Sequence, residues 1–122
     1  MHFPPARRLY RLGLGACLVL VSVLAFAPVD QPLLAASDKT NHVLAFVAIA
    51  WLADGAYPGR DRAWVRWASV LGYGLFIEAV QHFLPYRDAS ALDVAANALG
   101  ITLYIAASAT WARIVSAERR AA

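Results

Sequence analysis

Residues 12–29 read LGLGACLVLVSVLAFAPV, eighteen positions without a charge, and residues 94–111 read VAANALGITLYIAASATW, eighteen more. A helix crosses the hydrocarbon core of a bilayer with about 20 mostly apolar residues, the usual range being roughly 17–25. Both runs reach that length. Two shorter runs lie between them, 43–53 ahead of Asp54 and 67–77 ahead of Glu78. Alone, either is compatible with a buried helix of a water-soluble protein. Flanked by two membrane-length runs, they are expected to cross and return. The sequence therefore predicts an all-α fold, a polytopic membrane bundle of four transmembrane helices near 10–29, 41–57, 64–84 and 91–113, forming a single domain over 1–122.

Composition points the same way. The chain has 122 residues, of which 61% are apolar and 16% charged, against roughly 45–50% and about 25% in an average soluble domain. Those figures exclude disorder, and the lone Cys17 excludes a disulfide scaffold. The net charge of +3 sits in short clusters beside the apolar runs, the pattern of a membrane orientation signal, so no nucleic-acid partner is expected. Pro28 and Pro32, the turn Tyr57-Pro58-Gly59 and the segment from Pro85 to Asp88 separate the four runs.

With the N-terminus in the cytoplasm, that side receives Arg7, Arg8, Arg11, Arg60, Arg62, Arg66, Arg113, Arg119 and Arg120. The other side receives Lys39 and Arg87. Nine basic residues against two predict both termini cytoplasmic in the plasma (inner) membrane. An alternative makes the first run a cleaved signal peptide ending in Ala25-Phe26-Ala27, which leaves the later loops on the same sides.

The remaining polar residues fall on one side. Asp38, Lys39 and His42 begin the second span, Glu78, Gln81 and His82 end the third, and Arg87, Ser90, Asp93 and Asn97 lead into the fourth. Asp38 and His42, Glu78 and His82, and Asp93 and Asn97 are each four apart, so each helix carries a polar stripe on one face. An ionisable side chain inside a membrane marks a functional-site candidate by default. Plainer readings stand beside this one. Ser90 and Asp93 have the spacing of a capping box, Asp38 that of an N-cap, and Gln81 and Asn97 suit hydrogen bonding between helices. Arg87 suits lipid headgroups, and His42 suits a neighbouring carbonyl.

In this order the residues resemble the VanZ-like family of small bacterial membrane proteins. The motifs are Asp38-Lys39-x-x-His42-x-x-Ala45-Phe46, Glu78-x-x-Gln81, and Pro85-x-Arg87-x-x-Ser90-x-x-Asp93-x-x-x-Asn97-x-x-Gly100. The resemblance spans 37–104, with one departure at Tyr104, where the family often has a second glycine. It implies a role at the bacterial cell envelope, since the founding member is associated with resistance to the glycopeptide teicoplanin. It implies no reaction.

Three functions follow. The first is recognition, in which Asp38, Lys39, Gln81, Arg87, Ser90, Asp93 and Asn97 form an outward-facing site for an anionic envelope lipid or cell-wall precursor. The second is a hydrolase or transferase acting on a lipid or polyprenyl phosphate, with His42 and Glu78 as candidate catalytic acid and base. The third is a structural helix-packing or assembly partner. The sequence holds no His-Glu-x-x-His arrangement and no cysteine pair, so a metal set of His42, Glu78 and Asp93 has only a weak signal and no metal or other cofactor is expected.

Overall fold

Proline limits the first helix. Helix α1 (Pro5–Phe26) starts on Pro5, where the missing amide would have had no partner in any case, and stops two residues ahead of Pro28. Helices α2 (Asp38–Ala56), α3 (Ala63–Phe83) and α4 (Ala91–Ala121) follow. The structure, a computed structural model, describes residues 5–28 and 38–122. The Pro32 break and the side chain of Asp38 lie outside the described residues.

The protein is an all-α four-helix fold. α2 and α3 lie within three residues of their expected limits, while α1 begins five residues early and α4 runs to Ala121 instead of 113. The charge-free runs marked hydrocarbon thickness, but helix propensity has no such limit. The flanks at 6–11 and 112–121 are rich in Ala and Arg, both good helix formers, and continue the helices. Among the described residues two helices, Ala6–Phe26 and Ala91–Ala121, are long and apolar enough to cross a membrane, with mean hydropathies of 2.0 and 1.4.

Consecutive helices run antiparallel. Arg11 near the start of α1 donates to the Ala56 carbonyl at the end of α2 (3.2 Å), and Asp54 near that end pairs with Arg66 at the start of α3 (2.9 Å). α2 and α4 therefore run the same way, joined in order by Lys39 with Asp93, His42 with Asn97 and Asp54 with Tyr104. α2 is central and packs on all three others. Phe46, Ile49 and Ala53 of α2 form the core with Val70 and Ile101, and Leu14, Leu18 and Val21 of α1 pack against it.

Gly100 makes the α2–α4 contact possible. A Cβ there would lie 2.5 Å from the Val43 carbonyl and 2.9 Å from Phe46 Cβ, so only glycine lets the two backbones approach this closely. In the α2–α3 turn, Gly59 takes a φ of 132° that other residues rarely adopt.

The core is apolar, yet polar side chains are buried beside it and many large apolar ones stand exposed. Leu12, Val19, Leu20, Leu75, Phe76 and Leu103 are exposed, while Glu78, Gln81, Asp93 and Asn97 are buried.

Candidate functional site

The near end of the bundle is where α1 and α3 finish and α2 and α4 begin. Four polar side chains meet there. His42 and Lys39 come from the first turns of α2, Glu78 from the last turns of α3, and Asp93 from the first turn of α4. The ligating atoms of His42, Glu78 and Asp93 lie within 4.8 Å of one another. Asp93 is 2% exposed, Glu78 8% and the adjacent Asn97 0%.

Ser90 begins the assembly. It is the N-cap of α4, and its hydroxyl accepts from the Leu92 N–H at 3.1 Å. In a capping box the acid three residues on would take the N-cap's own N–H. Here Glu78 of α3 takes it instead, its Oε2 accepting from the Ser90 N–H at 3.2 Å. Asp93 is thus turned inward and forms an ion pair with Lys39. The capping expectation holds for Ser90 and is redistributed for Asp93.

Asn97, one turn further along α4, fixes the histidine. Its Oδ1 lies 2.9 Å from His42 Nδ1. The amide oxygen only accepts, so Nδ1 carries the proton and donates. The Asn97 Nδ2 and the Glu78 Oε1 are buried without a partner among the described residues. A Cβ on Gly74 would come within 3.0 Å of that Nδ2, so glycine at 74 makes room for the amide. Buried polar atoms are seldom left unpaired, and each exception calls for an explanation.

Gln81 and Arg87 do something else. The last four carbonyls of a helix have no partner inside it. At the end of α1, the Leu24 and Ala27 carbonyls both accept from Arg87 Nη2 at 2.7 Å. Ala25 accepts from Gln81 Nε2 at 3.0 Å, and Phe26 accepts from the Tyr86 hydroxyl at 2.6 Å. Three side chains from the α3–α4 junction close α1. Of the site residues expected from sequence, the structure gathers Lys39, His42, Glu78, Ser90, Asp93 and Asn97 and places Gln81 and Arg87 on α1. His82 is exposed against Phe83.

The far end holds a second polar group that the sequence reading missed. Both oxygens of Asp54 are engaged, one by Arg66 at 2.9 Å and the other by the Tyr104 hydroxyl at 2.7 Å. Arg66 also donates to the Tyr57 and Gly59 carbonyls at 2.7 and 3.0 Å and lies over the Trp67 ring. The signal was Asp54 itself, an acid ending an apolar helix and therefore needing a donor. Tyr104, which stood out as a departure from the family pattern, supplies one.

Between α2 and α4 runs a groove of about 400 Å³ lined by Lys39, Thr40, Val43, Leu92, Ala96 and Leu99. Its floor is apolar, and the side chain of Lys39, at its edge, is 44% exposed. Compared with known proteins, the chain matches no family model, no curated protein and no solved structure.

Proposed function

We propose that this chain is a VanZ-like protein spanning a bacterial plasma membrane four times, with both termini cytoplasmic and the near end open to the extracytoplasmic side. Its site binds an anionic envelope amphiphile, a phospholipid or a lipid-linked cell-wall precursor that carries a phosphate. Three features support the membrane reading. Many large apolar side chains are exposed, and polar ones are buried beside the apolar core. The basic residues of α1 and of the α2–α3 turn lie at the far end, and those ending α4 belong to the same side. The quoted motifs carry the family resemblance, and with it the link to glycopeptide tolerance.

The groove carries the ligand reading. An apolar channel with a cationic edge has the two-part chemistry of a phosphate-bearing lipid, with hydrocarbon along Val43, Leu92 and Leu99 and the phosphate at Lys39. Lys39, not Arg87, is the anchor, because Arg87 closes α1. Native mass spectrometry of the full chain with phosphatidylglycerol and a polyprenyl phosphate tests this. Wild type and Arg87→Lys retain one of the two and Lys39→Ala loses it, the retained species identifying the ligand class. Equal retention by Lys39→Ala overturns the reading.

A second reading is a hydrolase or transferase acting on the same amphiphile, favoured by the closeness of His42 to Glu78. The imidazole, held by Asn97, would move the proton and Glu78 would serve as its partner. Turnover of a labelled polyprenyl phosphate that stops in Glu78→Gln supports it, and retention without turnover leaves binding alone.

A further inference from the structure

An anionic ligand beside two buried carboxylates needs more positive charge than Lys39 supplies, since Lys39 already answers Asp93. The Glu78 Oε1 is buried with nothing to accept from among the described residues. We propose that His42, Glu78 and Asp93 form a site for one divalent metal ion of the zinc class.

The donor set is one imidazole and two carboxylates, drawn from three helices and converging within 4.8 Å. Zinc takes such N and O donors at about 2.0–2.2 Å, and a site with three protein ligands keeps a fourth position open. Metal binding would draw the three donors inward from their present spacing. The surroundings are those of a metal centre. A ligating histidine usually donates its other ring N–H to a fixed acceptor, and here Nδ1 donates to Asn97 Oδ1, so the proposed ligand atom is Nε2. Asn97 is fully buried, in room that the absence of a Cβ at Gly74 provides. Glu78 keeps Oε2 on the Ser90 N–H and presents Oε1.

The metal site stands on side-chain geometry. Its role, an open coordination position taken by a phosphate oxygen of the amphiphile, rests on the function proposed above. The ion neutralises the carboxylates, and Lys39 is then able to leave Asp93 and turn to the phosphate.

Calorimetric titration of Zn²⁺ into the full chain tests the site. The protein carries a non-histidine tag, is purified in detergent and is stripped with a chelator. One ion binds per chain. Asn97→Ala weakens binding by about 10- to 100-fold, and His42→Ala and Asp93→Asn by about 100-fold or more. Lys39→Met binds zinc at least as tightly as wild type, because a competing cation is gone. Far-UV circular dichroism establishes that each variant keeps its helices, and Glu78→Gln provides a second ligand variant should Asp93→Asn unfold. No binding by folded wild type overturns the proposal, as does equal binding by folded ligand variants. Amphiphile retained in the presence of chelator and in all ligand variants overturns the metal's role in holding the phosphate and leaves the binding function. Zinc bound at this site with no amphiphile retained does the reverse.

Discussion

The two ends of the bundle use the same kinds of residue to opposite effect. At the far end Asp54 has both oxygens bonded, and its cation, Arg66, reaches two further carbonyls and an aromatic ring. At the near end Glu78 has one oxygen bonded and one buried without a partner among the described residues, and Asn97 leaves its amide nitrogen in the same state. The far-end carboxylate is answered on both oxygens within the protein, although Arg66 Nε there is buried without a partner among the described residues. The near-end carboxylate of Glu78 is answered on one oxygen only. A packing network has no reason to hold a half-answered carboxylate, whose desolvation costs free energy and returns none. A ligand site has every reason to.

The largest expected effect tests the frame that holds both ends. Gly100→Val drives a side chain into the Val43 carbonyl and should destabilise the protein by about 3 kcal/mol, the upper part of the usual range for overpacking. Unfolding in a denaturing detergent series would show it, and a change near zero would mean that α2 and α4 do not touch there.

Asp54→Ala comes next. It strands Arg66, and because Asp54 is about a third exposed the cost should be about 2–3 kcal/mol, less than for a fully buried pair. Binding of amphiphile at the near end should survive wherever the variant is folded, which a retention assay reads directly. Arg87→Ala removes the donor shared by the Leu24 and Ala27 carbonyls. About 2 kcal/mol is expected, with the loss concentrated in faster hydrogen exchange at the end of α1. Tyr104→Phe deletes one hydrogen bond to a carboxylate, worth about 1.5 kcal/mol, measurable as a lowered midpoint of thermal unfolding.

Much of the frame was legible because hydrophobic run length and proline placement act locally. Pro28, the Tyr57-Pro58-Gly59 turn and Ser90 mark boundaries that the structure keeps. The meeting of His42, Glu78, Asp93 and Asn97 was legible too, since four-residue spacing places side chains on one face and alternating helix direction brings the faces to one end. What the residues do to one another was not. A helix-face pattern states which side is polar but not which neighbour answers it. Arg87 looked like a ligand or headgroup residue, and Gln81 like either a ligand residue or the interhelical hydrogen-bond donor it is, because nothing local shows that α1 ends beside them and offers four carbonyls. Asp54 and Tyr104 are fifty positions apart, and only the parallel packing of α2 on α4 joins them.

The most direct measurement of the central claim is the unfolding free energy of Glu78→Gln in detergent. Glutamine retains an acceptor for the Ser90 N–H and removes a buried negative charge, so a near end built for a ligand should become as stable as wild type or more so, within about 1 kcal/mol. A loss as large as that of Asp54→Ala would show that Glu78 already has its partners inside the fold, and that the near end is packing like the far one.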